Sequence, residues 1–551
     1  AGGALVSVFL LNTFSLVYVV AIVIGLLLLV WAINALANTN RYSRALALLS
    51  VAIIILMGLG KDALDIDIPV SKDPSKDMYR LMNNPALQSE KLESRWSAFG
   101  KTDLVQFTYP DSTVSKTMFI DGAAGTDVVN IDELAKDTLK IRKALSGFPA
   151  VFAMNFVNEN DKDSVLIIGP GGGIDIAAAY FSGYSYVDAV EVNPSFVRLM
   201  EKYNPATFLE KENIKVVVNE GRNFVIQNKG KYDAILLTIP ATKGSRGTDF
   251  YGLTENYLFT MEALADYLEG LTENGAIYFT MHGRQEVYKM LANYLELQDR
   301  MGIGQKEALK KVYIFSNGMN PVLVIKKTPF EQEIIEEVHR IAHYLELDQD
   351  AFYFPYIKQE GLDTIVRNVN YQWFMFDDLI YDISLGTYPH DELWKTASIN
   401  LRPVSDDSPY FFNYNIGIPD AMAMPLWLGI FIIGWFLFNH ANKWKSVSFY
   451  EDTTVTALKK FRVLALMAFL LGFSYILIQG YLFQVLNLKL SSPSQSFSLL
   501  LFTFLLGNGM GSLMTRAFKK NLPQKLTVYA ALIIIACLVT VYVLLPMWYE
   551  R

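Results

Sequence analysis

The chain has 551 residues, a net charge of −7 and a hydrophobic content of 52%. An acidic balance argues against nucleic acid as a partner, because phosphate contacts need clustered Lys and Arg. The one cysteine, Cys537, excludes an intrachain disulfide and a zinc site built on several cysteines.

The apolar excess sits at the two ends of the chain. It begins AGGALVSV without Met, which reads as processed or incomplete. Its first apolar run is too long for a signal-peptide core and lacks a basic segment before it. A helix needs about 20 mostly apolar residues to cross a bilayer. Residues 14–36 and 44–60 qualify, followed after the polar middle by 421–439, 463–486, 496–515 and 526–548, which predicts six spans. Lys and Arg in short loops set the orientation. Arg41 and Arg44, then Lys443, Lys445, Lys459, Lys460 and Arg462, then Arg516, Lys519, Lys520 and Lys525 fall on one side, while Lys489 and Arg551 fall on the other. The expected protein lies in a plasma or inner membrane, with the middle domain on the extracytoplasmic side.

Residues 94–130 read as short strands broken by Gly, Pro and Asp turns, a small β unit. Beyond them strands and helices alternate. Ser164–Ile168 is a strand, Gly169–Gly173 a turn and Ile174–Phe181 a helix. Strand Tyr186–Val192, helix Ser195–Tyr203 and strand Ile214–Val218 follow. Strand Ala234–Leu237, a helix over 255–270 and strand Ala276–Thr280 complete the series. Such alternation predicts parallel pairing in a doubly wound sheet.

The turn GPGGG joins a strand to a helix, where glycines let backbone approach a ligand and the helix N-terminus favours polar groups. Glu191 ends the next strand about 20 residues on, where an acid can hold ribose hydroxyls. The pair marks a nucleotide-type site; glycines kept only for packing are the alternative.

Taken in order, LIIGPGGGIDI, AVEVNPSF, NEGRNF, YDAILL and LTENYLFTMEAL resemble the spermidine synthase-like branch of the S-adenosylmethionine-dependent methyltransferase folds. SRWSAFGKTDL with MFIDGAAGT is similar to the family's N-terminal β unit, and LRPVSDDSPYFFNYN and SSPSQSFSLLLFTFLLGNGMGSL are similar to segments of its membrane-anchored members. The resemblance implies an α/β class: a doubly wound, Rossmann-like methyltransferase domain over 146–415, preceded by the β unit and connector over 61–145. Two transmembrane helices within 1–60 and four within 416–551 would flank them.

By position, the resemblance implies that Gly169, Gly171 and Gly173 line the turn beside the methionine portion of the ligand. Asp175 stands where the family has an acid just after the glycines, Glu191 would hold the ribose, and Glu220 replaces an Asp near the adenine. The implied ligands are S-adenosylmethionine, decarboxylated S-adenosylmethionine or methylthioadenosine, with no ligand as the alternative. In aminopropyltransferases the strand after YD ends in one Asp and a second follows three residues later. Here those positions are Thr238 and Ala241, and neither can deprotonate an amine at neutral pH.

Asp249, Glu255 and His282 lie nearby but read first as solvated or structural groups. Asp406 and Asp407 in SDDSP read as a turn rather than a cation site. The five histidines show no metal spacing, and no metal is expected. YQWFMF (371–376) reads as packing, Gly507, Gly509 and Gly511 as close helix contact, and Gln479 and Gln484 as intramembrane amides favouring association. The sequence thus leans towards a non-catalytic binding module, held in the lipid bilayer among other membrane-protein subunits. A membrane-bound transferase with an altered acceptor is the second reading.

Overall fold

The computed structural model describes residues 76–417, apart from 98, 146–147, 204–210, 239–254, 319, 349–350 and 359–376, together with the helix Pro493–Ala517 and isolated positions elsewhere. Predicted spans 14–36 and 526–548 lie outside the described residues, as do most positions of 44–60, 421–439 and 463–486. Among the described residues no helix is long and apolar enough to cross a membrane. The predicted span 496–515 falls within the Pro493–Ala517 helix, where Gly507, Asn508 and Gly509 interrupt the apolar run.

The small β unit is a four-stranded antiparallel meander, β1 (Gln88–Ser97), β2 (Gly100–Thr108), β3 (Val114–Ile120) and β4 (Ala123–Asp127). Asp121 and Gly122 close β3 onto β4 with φ of 51° and 76°. Asp-Gly at two left-handed positions matches the twist of a two-residue hairpin.

The second sheet has seven strands. Five are parallel: β5 (Ser164–Ile168), β6 (Tyr186–Glu191), β7 (Ile214–Val218), β8 (Tyr232–Thr238) and β9 (Leu271–Thr280). β10 (Val312–Ser316) and β11 (Pro321–Lys326) add an antiparallel edge, giving the order β10-β11-β9-β8-β5-β6-β7. Counted from β5 this is 3-2-1-4-5-7-6, a doubly wound sheet whose direction of growth reverses between β5 and β8.

Two-sided burial explains why these strands are apolar runs. In β5, Leu166 and Ile168 pack into one core while Val165 and Ile167 pack into the other. β8 repeats this with Ile235 and Leu237 against Ala234 and Leu236. Fully burying such aliphatic side chains contributes about 1.5–3 kcal/mol apiece. Helices α1 (Ile174–Phe181) and α2 (Pro194–Tyr203) cover the second face. α3 (Gly221–Ile226), α4 (Met261–Gly270) and α5 (Arg284–Arg300) cover the first.

The helix expected from 255 starts six residues later, at Met261. Thr260 fixes the boundary: its side chain accepts from the Ala263 N–H, while Asn256 N–H donates to Pro409 O in a different segment. Residues 255–260 therefore spend their backbone groups on tertiary contacts instead of a helical turn.

The segment around LRPVSDDSPYFFNYN closes the first face. Lys289 of α5 is fully buried and donates to Asn413 O at 2.7 Å, with the rings of Phe411 and Tyr414 beside it. Burial lowers its pKa to about 7. Unfolded, the amine holds its proton up to the usual lysine range. Between these values the unfolded chain binds more protons, so this group makes stability rise with pH above about 7, by at most about 1.4 kcal/mol per pH unit. Lys289→Met in the full-length chain should flatten that alkaline rise. An unchanged slope in denaturation midpoints would show that Lys289 keeps its charge when folded.

Candidate functional site

Ligands of doubly wound sheets bind beyond the carboxyl ends of the strands, where the sheet changes direction. Here that point lies between β5 and β8, whose residues Ile168 and Leu237 are in register. The glycine turn therefore emerges from β5 level with Thr238, the last residue of β8.

Gly169, Gly171 and Gly173 all have left-handed φ, of 75°, 53° and 99°. Gly172 is demanded by space: a Cβ there would lie 1.9 Å from the backbone carbonyl oxygen of Asp127. Its N–H donates to Thr126 Oγ1 at 2.9 Å, and its carbonyl accepts from the Val129 N–H at 2.9 Å. The turn is thus clamped against β4 of the small sheet.

Glu191 ends β6 and is buried. Its Oε1 accepts from Asn193 N–H at 2.8 Å, and the N–H groups of Gly171 and Val192 also favour its charge. Burial outweighs them and raises its pKa to about 7. Asn193 caps α2 by accepting from Ser195 N–H at 3.0 Å, with Pro194 at the first helical position. The same side chain donates to Thr102 Oγ1 and accepts from Ser97 Oγ, both in the small sheet. Both loops of the candidate cradle are therefore locked by one neighbouring sheet.

Asp175, in the first turn of α1, is buried, and burial raises its pKa to about 7 while Thr238 favours its charged form. Neither Asp175 Oδ1 nor Thr238 Oγ1 makes a hydrogen bond of ordinary geometry. Glu220 has a helix-capping duty: its Oε2 accepts from Asn223 N–H at 2.8 Å, at the start of α3.

Five of the six predicted binding residues, Gly169, Gly171, Gly173, Asp175 and Glu191, stand on the turn, the helix it opens and the adjacent strand end. Glu220 stands after β7, the next strand out. Ala241 and Asp249 lie outside the described residues, as do Gln484 and residues 371–376. Glu255 accepts from Tyr257 OH at 3.3 Å, and His282 stands 3.2 Å from Glu286 Oε2, which also accepts the His282 N–H. Residues 405–408 form the expected turn, closed by Ser408 N–H on Ser405 O. Asp406 there accepts from Arg222 Nη1 at 2.8 Å and Thr260 Oγ1 at 2.7 Å, so NEGR and SDDSP meet through an ion pair. Among the described residues no group of His, Cys, Asp and Glu is arranged to hold a metal ion.

Thr126, Ser97 and Thr102 were invisible as site residues, since their role depends on contacts between distant segments. Asn193 carried a local signal, because Asn-Pro before an apolar helix is a capping pattern.

No family model matches the chain. A polyamine aminopropyltransferase of Clostridium botulinum (strain Eklund 17B / Type B) is 32% identical over 123 residues, which cover 22% of this chain and 40% of that protein. Another, of Alkaliphilus metalliredigens (strain QYMF), is 27% identical over 226 residues, or 41% of this chain and 68% of that one. The chain thus spans 40% of the length of the Clostridium relative. Among solved structures, a spermidine synthase in complex with the transition state analogue AdoDATO is 17% identical with a TM-score of 0.32, covering 54% of this chain and 89% of that one. A spermidine synthase from Thermotoga maritima is 16% identical with a TM-score of 0.32, covering 54% and 88%. The sheet order gives the α/β unit a methyltransferase-type fold, and its sequence is similar to polyamine aminopropyltransferases over part of their length.

Gly172→Ala tests the clamp. The added methyl must push β4 away from the turn, and overpacking of this kind costs about 1–3 kcal/mol. Thermal denaturation of the full-length variant should show that loss, whereas wild-type stability would mean that the turn and β4 are not in contact.

Proposed function

We propose that this chain is an integral membrane protein whose α/β domain binds a nucleoside of the S-adenosylmethionine type, including the decarboxylated form or methylthioadenosine. The observation that carries this reading is the clamped glycine turn at the switch point, with the Glu191 carboxyl at the neighbouring strand end. A backbone held open by left-handed glycines and a fixed acid beside it suit a ribose and the chain attached to it. The names of the similar proteins, polyamine aminopropyltransferases, support the same ligand class.

The apolar runs at both ends support membrane anchoring, and the Lys and Arg distribution supports an extracytoplasmic α/β domain. Thr238 and Ala241, in place of two acids, support a binding module within an assembly of membrane subunits. One structural observation favours the second reading, a transferase with altered acceptor chemistry: Asp175 puts a buried carboxyl beside Thr238.

Calorimetric titration of the full-length protein with the three nucleosides tests the reading. At least one should bind, and Glu191→Ala should weaken it by about tenfold, the loss of roughly one charged hydrogen bond. Absence of binding by all three overturns the proposal. Protease treatment of intact cells should cleave the α/β domain; its protection would place it in the cytoplasm.

A further inference from the structure

A strand at the border of a sheet carries a row of backbone N–H and C=O groups without neighbours, and such a row pairs readily with another chain. The borders of the seven-stranded sheet are β10 and β7. β10 is covered by the chain itself. Ile314 and Tyr353 exchange both backbone hydrogen bonds, at 2.7 and 2.9 Å, and Ser316 N–H donates to Leu347 O at 2.8 Å. In the small sheet, border strand β1 is interrupted by a bulge between Lys91 and Glu93 and carries Glu90, Lys91, Glu93 and Arg95. Covering, bulges and charge all keep an edge from pairing.

β7 is left open. It reads Ile-Lys-Val-Val-Val, without proline, and no register shift interrupts its pairing with β6. Val187 N–H donates to Asn213 O and Asn219 N–H to Glu191 O, so the odd-numbered residues of β7 turn their backbone groups towards β6. Those of Val216 and Val218 point the other way. Among the described residues neither makes a backbone hydrogen bond on that side. Lys215 is the single charge on the strand, and its side chain leaves through a face of the sheet, not along the edge. Val218 is 50% exposed, and Tyr186 and Val192, at the two ends of β6, are exposed as well.

The strand fits a second copy of itself. In an antiparallel pair about a two-fold axis, one residue of β7 must oppose its own counterpart. Centred on Lys215, the axis would set two lysines against each other, a destabilising pair. Centred on Val216, it would aim the Val218 C=O at the Ile214 N–H, which already donates to Lys211 O. Centred on Val217, it sets Val216 of each copy against Val218 of the other, and both N–H and both C=O groups of that pair are satisfied. Val217 then meets Val217, and Lys215 meets the uncharged Asn219.

We propose that β7 pairs antiparallel with β7 of a second copy of this chain, about a two-fold axis at Val217, so that two sheets become one continuous sheet. The contact reaches the rim of the candidate site, because Asn219, opposite the partner subunit's Lys215, immediately precedes Glu220.

The test uses the full-length protein, in isolated membranes and in mild detergent. Analytical ultracentrifugation in detergent should show a dimer. Val216→Pro removes an outward N–H from each copy and leaves the ladder to β6 intact, a substitution that border strands tolerate. It should raise the dimer's dissociation constant by about thirtyfold, the loss of two hydrogen bonds, with the circular dichroism of wild type. Val217→Cys is examined together with Cys537→Ser, which removes the only native thiol. On oxidation in the membrane it should give a disulfide-linked dimer, because opposed residues of a non-hydrogen-bonded pair lie about 4.5 Å apart at Cα. Lys215→Cys in the same background should not, since 215 opposes 219. A monomeric wild type overturns the proposal, as does a dimer that ignores Val216→Pro and cross-links no better at 217 than at 215. Co-purification of a different polypeptide that Val216→Pro releases would assign the edge to that polypeptide and overturn self-pairing.

Discussion

The contact on which the candidate site depends is the approach of Gly172 to the backbone of Asp127. No side chain fits between them, so the turn after β5 and the segment after β4 hold each other in place. Thr126 adds a hydrogen bond to the Gly172 N–H. Asn193 makes the second attachment, to Ser97 and Thr102, from the loop after β6. The small sheet therefore fixes both loops at the carboxyl ends of β5 and β6. Pre-organised loops spare a ligand the entropy of ordering them, which is where much binding energy is otherwise lost. A domain reduced to passive packing would have little need for so constrained a turn.

Burial of charge distinguishes the roles of groups that share a similar pKa. Glu191 and Asp175 are both driven up by desolvation, but only Glu191 recovers stabilisation through several backbone donors. For either acid the folded value lies above the unfolded one. Each therefore stabilises the fold fully only below its ordinary carboxylate range, and that contribution is lost as pH rises towards 7. Lys289 acts in the opposite sense above 7, through burial of its amine. The two acids strain the fold at physiological pH, and a bound cation near Asp175 would relieve the strain on that carboxyl by pairing with it.

Much of this fold was legible in the sequence because its central strands are buried on both faces. Ser164–Ile168 has the same bounds in the structure as in the sequence pattern, since a two-sided core writes itself as an apolar run, and so has the edge strand Ile214–Val218, whose Lys215 is exposed. Ile174–Phe181 was equally clear, opened by glycine and filled with alanines. The antiparallel edge of β10 and β11 was not expected, because alternation of strands with helices implies parallel pairing and carries no sign of a hairpin at the end. At the site, the turn and Glu191 could be read from spacing within one strand–helix–strand unit. The clamp could not, since Thr126 lies 46 positions from Gly172 and nothing local to AAGTD marks it. The neighbourhood of Asp175 and Thr238 depends on the register of β5 with β8, a tertiary fact.

That register decides which side chains stand near the end of β8. Thr238 is paired with Thr280 across the ends of β8 and β9, and neither Oγ1 makes a hydrogen bond of ordinary geometry. Asp175 stands on the helix that follows the adjacent strand, on the same face of the sheet, and its charge is favoured by Thr238. Oδ1 of Asp175 makes no hydrogen bond of ordinary geometry, so desolvation dominates this carboxyl, whereas Glu191 Oε1 gains from the Asn193 N–H.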